Sequence, residues 1–180
     1  MSSKPAKIIG IVSIAAGLVM VIAGIVTWNI VTSQLKQEQI TVPGDADKVL
    51  GMTVAGKKVQ GPITAFGQAE TINKHALAGA EGKTYAQLGA DQSKARADLE
   101  AATNDSEREA AQAALDKATQ QRNTAMNAAF LRSSLFTSVV TYGLSALVVG
   151  LGLMFGLIGW ALTTIKPATV AAGTPAPSDE

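Results

Sequence analysis

The sequence predicts a mainly α-helical membrane protein, with two transmembrane helices flanking an extracytoplasmic α-helical domain that contains a helical hairpin. Three observations predict it. No charged residue occurs from Ile8 to Leu35, none occurs from Ser133 to Ile165, and neither glycine nor proline occurs between Ala90 and Tyr142. A helix needs about 20 apolar residues to cross the ~30 Å hydrocarbon core of a bilayer. Both charge-free stretches exceed that length. A soluble core helix this long keeps a wet, charged edge, and these two have none.

Residues 1–7 read as a cytoplasmic N-terminus and residues 8–30 as the first span. The apolar run outlasts the ~7–15 residues of a signal-peptide core and ends in Thr27-Trp28-Asn29 rather than a small-residue cleavage site, so it reads as an uncleaved anchor. Trp28 is expected to anchor that end at the membrane interface, and Trp160 the far end of the second span. An indole suits such a place because it pairs an apolar body with one hydrogen-bond donor. Lys4 and Lys7 stand before the first span and Lys166 after the second. Basic residues concentrate on the cytoplasmic side, which puts both termini there and the central domain outside the membrane.

Residues 31–132 form the domain between the spans. Every glycine in it lies before Ala90, so its first half reads as turns and short elements and its second half as long helix. Within the extended region 31–63, Gln39 to Pro43 leads away from the membrane, and Val49–Val54 and Lys57–Ile63 flank Ala55-Gly56 in a way that allows a short β-hairpin. A helix is predicted over 64–80, with Ala65, Ala69, Ile72 and Ala76 on one face and Gly79 and Gly82 ending it. A second covers 91–103, supported by Lys94/Asp98 and Arg96/Glu100 at i,i+4. Asn104-Asp105 makes the turn. A third covers 106–132, opened by a Ser106–Glu109 capping box. Nothing stops it before the second span, 133–165, so the two are expected to form one rod of roughly 60 residues and ~90 Å. Ala111, Ala118 and Ala125 recur every seven residues and are placed opposite Ala95, Leu99 and Ala102. Alanines bury little area, so this packing is thin. Residues 166–180 are low-complexity and read as a disordered cytoplasmic tail.

The sharpest pattern lies inside the spans. On the first, Gly10, Ser13, Gly17, Met20, Gly24 and Thr27 alternate three and four apart. On the second, Ser138, Ser145, Gly152 and Gly159 repeat every seven, and Gly156 falls on the same side. Lipid supplies no hydrophobic drive between helices, so association relies on the close backbone approach that small residues permit. A seven-residue repeat suits a left-handed crossing near +20°. Packing within the chain and packing against a neighbouring subunit both remain open at this point.

Chemistry is sparse. The absence of cysteine removes disulfides, thiolate metal sites and cysteine nucleophiles. His75 is the one histidine and reads as a surface or partly packed imidazole, while Glu70, Glu81 and Asp91 are scattered without paired spacing. Neither span holds an ionisable residue, which removes the usual mark of a proton relay or ion-coupled transporter. The domain between the spans has equal numbers of basic and acidic residues and so lacks the footprint of a nucleic-acid binder. No catalytic, cofactor-binding or metal-ligating residue is assigned, and no small-molecule substrate is expected. The flanking pieces are too short for the output domain of a sensor kinase or chemoreceptor.

The stretches Glu38 to Pro43, Gln68 to His75 with Gly82 to Gln87, and Ser134 to Val140 before a glycine-rich span resemble a family of small actinobacterial two-pass membrane proteins of unknown function. The likeness covers roughly Ile8 to Ile165. Members often carry the label aromatic ring-opening dioxygenase. A non-haem iron facial triad needs two histidines, so this chain cannot build the site that label requires. The resemblance implies an actinobacterial plasma membrane and supplies no site residues. The expected role is a non-enzymatic accessory or scaffold subunit whose outer helical domain contacts other membrane proteins, in respiratory or cell-envelope machinery. The alternative is a homo-oligomeric channel, whose layout of two spans with glycine-rich faces resembles the large mechanosensitive channel but lacks its amphipathic N-terminal helix and charged C-terminal bundle.

Overall fold

A computed structural model describes residues 4–165 of the chain. Lys166 and the tail 166–180, expected to be cytoplasmic and disordered, lie outside the described residues. Four helices follow in order: α1 (Lys4–Gln37), α2 (Pro62–Gly79), α3 (Tyr85–Ala101) and α4 (Asp105–Thr164). α1 and α4 are each long and apolar enough to cross a membrane. α4 runs 60 residues without interruption, because the first glycine it meets is Gly143 and it meets no proline.

The chain divides into two compact units. The smaller joins the residues up to Val26 with those from Leu144 on, and the larger is Thr27–Gly143. These limits fall inside the charge-free stretches rather than at 30/31 and 132/133. The reason is chemical: charge-free is not the same as apolar. The first turns after Arg132 carry Ser133, Ser134, Thr137, Ser138 and Thr141. The Thr137, Ser138 and Thr141 hydroxyls donate to carbonyls four residues back. Leu135 and Tyr142, 5% and 1% exposed, belong to the core of the larger unit.

That core gathers Val31, Leu35, Val42, Val49, Val54, Val59, Ala65 and Ala69 around Leu135 and Tyr142. Burying a valine stabilises by about 1.5 kcal/mol or more, so five of them form the main apolar anchor here. No strand forms among the described residues, and the pairing differs from the expected β-hairpin. Thr41 bridges to Lys58, and Val49 bridges to Met52. The Val42 N–H donates to Lys57 O, and the Val59 N–H to Ile40 O, each at 2.9 Å. The partner of residues 57–59 is therefore the segment leaving α1, not 49–54. Residues 49–52 close on themselves in a two-residue turn with Leu50 and Gly51 both at positive φ, 48° and 77°. α2 lies so close to this lobe that a Cβ on Gly67 would come within 2.7 Å of Val54 Cγ2.

α2 begins at Pro62 rather than 64, with the proline in the first turn, where its fixed φ suits a helix and its missing N–H costs nothing. The Thr64 hydroxyl accepts from the Gln60 and Gly61 N–H groups at 3.1 and 3.3 Å. Ala65 and Ala69 are fully buried, as the apolar face predicts. The helix closes with Glu81 at φ 56° and the Gly82 N–H donating back to Leu77 O at 2.7 Å.

α3 starts at Tyr85, six residues before the predicted 91. Thr84 caps it, with the Gln87 side chain accepting from the Thr84 N–H at 2.8 Å. Gly89, which reads as the end of the turn region, sits inside this helix and leaves room for the Arg122 guanidinium 3.5 Å from the Cβ position. The Ser106–Glu109 box does not form. The Asn104 side chain instead accepts from the Glu107 N–H at 2.9 Å, and Glu107 reaches back to the Thr103 N–H at 2.9 Å. The cap thus lies two residues earlier than predicted, and Thr103 belongs to the turn. Of the heptad alanines, Ala118 is buried against α3 with Ala95, whereas Ala111 and Ala125 are only half-buried. Leu88, 0% exposed, is the large side chain that secures α3, and it was not predicted.

Candidate functional site

Within the smaller unit the small-residue stripes meet each other. α1 and α4 run antiparallel, and each step of seven along one is matched by a step of seven along the other. A Cβ on Gly10 would come within 2.6 Å of Gly159 O, one on Gly152 within 2.6 Å of Gly17 O, and one on Gly24 within 2.9 Å of Ser145 O. No side chain fits such gaps, since real Cβ atoms do not approach a carbonyl oxygen below 3.0 Å. The backbones themselves form the seam, and it closes within one chain. Gly10, Gly17, Gly24, Ser145, Gly152 and Gly159 are all buried.

The remaining stripe residues are peripheral. Ser13 and Ser138 are half-buried, and a Cβ on Gly156 would meet nothing within 4 Å, although Gly156 N lies 2.9 Å from the Cβ position of Gly17. Gly143 and Gly150 likewise face open space. Around the seam the surface is large and apolar, with Ile11, Leu18, Val19, Leu147, Leu153 and Leu157 each more than half exposed. Trp160, 63% exposed, belongs to this surface.

Trp28 has a further contact that spacing did not reveal. Its ring packs edge-on against Tyr142 at 4.6 Å, and the Tyr142 hydroxyl shares a 2.8 Å hydrogen bond with Thr32. Tyr142 is the largest fully buried side chain among the described residues, and its phenol is satisfied by Thr32 of α1. The available signal is a tyrosine within a charge-free stretch, whose hydroxyl needs a partner when buried.

The titratable side chains of the larger unit fall into small surface groups. His75 Nε2 donates to Asp45 at 2.8 Å, and Lys74 lies 3.9 and 3.8 Å from Asp45 and Asp47. The hydrogen bond from His75 holds the Asp45 carboxyl below its ordinary value. Glu81 is held low by Lys117 at 2.7 Å, and the Lys83 ammonium is held high by Asp91 at 2.7 Å. These pairs are exposed and hold helix ends together; such contacts contribute little individually. No cluster of three or more potential metal ligands occurs among the described residues.

Two arginines on α4 are less ordinary. Arg122 donates to Gln92 Oε1 at 2.7 Å and lies over the Tyr85 ring at 4.6 Å, so its charge has an aromatic face and a neutral amide for company. Arg132 approaches Glu70 only to 3.7 Å and lies 5.7 Å from the Phe136 ring, with its Nε buried and unpartnered. Arg132 stands at one end of a groove lined by Ala76, Leu77, Tyr85, Ala125, Ala128 and Ala129, with Lys83 also on its wall. Compared with known proteins, the chain matches no family model, no curated sequence and no solved structure.

Proposed function

We propose that the chain is a two-pass protein of a bacterial plasma membrane, both termini cytoplasmic and its larger unit outside, acting as a non-enzymatic accessory or scaffold subunit for other membrane proteins. The observation that carries this reading is the seam. Its close-approach residues are consumed on each other, and the surface around them is mainly aliphatic bulk suited to lipid. A homo-oligomeric pore would have to be lined by what is left outside the seam, where Gly143 and Gly150 face open space among large aliphatic side chains. Charge placement supports the orientation, through Lys4 and Lys7 before the first span and Lys166 after the second. The larger unit then offers its surface to neighbours. The resemblance to small actinobacterial membrane proteins fits this location.

The absence of native cysteine makes the topology directly testable. Single cysteines replacing Lys57 or Asp116 are expected to react with a membrane-impermeant maleimide in intact cells, whereas one replacing Lys4 reacts only after lysis. The opposite pattern overturns the topology. For the scaffold role, cross-linking mass spectrometry on native membranes is expected to join Lys48, Lys57 or Lys117 to a different membrane protein. Cross-links confined to this chain, together with conductance in reconstituted bilayers, would replace the scaffold by the pore.

A further inference from the structure

We propose that the groove between α2, the start of α3 and α4 holds one anionic phospholipid, its phosphate on Arg132 and an acyl chain along the alanine floor. The inference rests on the membrane reading above and adds a ligand to it.

Arg132 is the starting point. A guanidinium carries five N–H donors and stays charged at any physiological pH. Here it makes no hydrogen bond to any described residue: its Nε is buried without a partner, and its one carboxylate neighbour, Glu70, lies at 3.7 Å, beyond hydrogen-bond reach. The side chain is 31% exposed, and Nε is its enclosed donor. A donor buried without a partner is a costly arrangement unless an acceptor completes it. A phosphate matches it, since the planar fork of an arginine pairs with two phosphate oxygens at once.

The rest of the groove decides what the phosphate is attached to. From Arg132 the floor runs back along α4 through Ala129, Ala128 and Ala125, faced by Ala76 and Leu77 of α2 and capped by the Tyr85 ring. Apart from Asn73, Thr84 and Lys83 on its walls, the trough is apolar along its length. Free phosphate or a sugar phosphate would leave it empty, whereas an acyl chain fills it. Lys83 adds a second cation on the wall, although Asp91 already holds it at 2.7 Å, and Arg122 sits beyond Tyr85 with no carboxylate partner. Against these three cations stand Glu70 and Asp91. The balance favours an anion over a zwitterion. Arg132 is also the last charged residue on α4 before the stretch that reads as membrane-spanning, which makes it the α4 cation nearest a lipid phase.

The test uses the full chain purified in mild detergent, with bound lipid read by native mass spectrometry after additions of phosphatidylglycerol or phosphatidylcholine of matched acyl length. One phosphatidylglycerol is expected to stay bound at activation energies that strip phosphatidylcholine. Arg132→Gln is expected to lower that occupancy about five- to tenfold, the scale of one lost arginine–phosphate contact. Ala128→Trp, which fills the trough and leaves Arg132 in place, is expected to abolish it. Lys117→Gln, distant on α4, serves as the charge control and leaves it unchanged. Inorganic phosphate at millimolar concentration is expected not to compete; if it does, the site is a phosphate site and the lipid assignment falls. Equal retention of both lipids, or a bound phosphatidylglycerol that survives both Arg132→Gln and Ala128→Trp, overturns the proposal, as does a co-purified acidic peptide in place of lipid. Helical content of each variant by circular dichroism separates a lost site from a lost fold. Extraction of the chain from membranes by alkaline carbonate would instead overturn the membrane reading itself, whatever the lipid result.

Discussion

Two regions of this molecule repeat small residues every seven positions, and they use them differently. In the smaller unit Gly10, Gly17 and Gly24 bring α1 so near α4 that backbone meets backbone, with Cβ positions under 3.0 Å from opposing carbonyl oxygens at three levels. Along α3 and the first part of α4, Ala111, Ala118 and Ala125 keep the same spacing, yet only Ala118 is buried. What secures that second contact is Leu88, together with hydrogen bonds from Gln92 to Thr119 and from Arg122 to Gln92 at 2.8 and 2.7 Å. The heptad period is the same; the physical agent is not. Glycine permits an approach that nothing else can fill, while alanine leaves space that polar side chains then bridge.

Substitutions sharpen that difference. The largest effect is expected from Gly17→Leu, which drives a side chain into the backbone of Gly152 and has no flexible neighbour to displace. It should destabilise by more than about 3 kcal/mol, read as a lowered thermal midpoint in detergent. Gly150→Ala, on open space on α4, should change stability by less than about 0.5 kcal/mol in the same measurement. If both behave alike, the seam is not what holds α1 to α4. Leu88→Ala should cost about 2–3 kcal/mol by emptying a fully enclosed site, and Ala111→Ser almost nothing, by the same measurement. A reversed order would restore the alanine heptad as the main contact.

Tyr142→Phe removes one hydroxyl from a satisfied bond with Thr32 and should cost about 1 kcal/mol, leaving the Trp28 ring contact intact. The smallest effect concerns pH. Glu107 is held below its ordinary value of 4.5, chiefly by the Thr103 N–H it accepts. A depressed carboxylate stabilises fully above its unfolded value, and that contribution disappears as pH falls through the lower folded value. Protection of the Thr103 and Glu107 amides, taken relative to their intrinsic exchange rates, should therefore fall in acid before that of Leu88 does, and Glu107→Gln should flatten the trend.

The long elements were legible because their signals are redundant. Sixty residues of α4 lack any proline, and its first glycine comes late, so its continuity followed from what is missing. The glycine faces were legible from period alone, but not their partner, since the same stripe serves a neighbour within or outside the chain. Elsewhere a local rule competed with a stronger one. Gly89 reads as a break, yet the Thr84–Gln87 cap starts the helix before it and the glycine only makes room for Arg122. Ser106 and Glu109 fit a capping pattern, but Asn104 takes the role because its amide oxygen reaches the Glu107 N–H first. The 57–59 segment pairs with 40–42, which no local pattern encodes, because the burial of Val42 and Val59 decides it. The Arg132 groove was invisible for a related reason: residues from 73 to 132 meet there only once α2 lies against α4.

The antiparallel seam has one last property, which concerns sliding rather than stability. A stripe that repeats every seven residues has a second register: moved by one repeat, Gly10 would face Gly152 and Gly17 would face Ser145, keeping two close approaches of three. Such a ratchet position lies about 10 Å along the helix axis from the observed one. The observed register alone keeps all three, with Gly24 against Ser145 as the third. That third approach works as a detent on a repeating track, setting which notch the two stripes occupy.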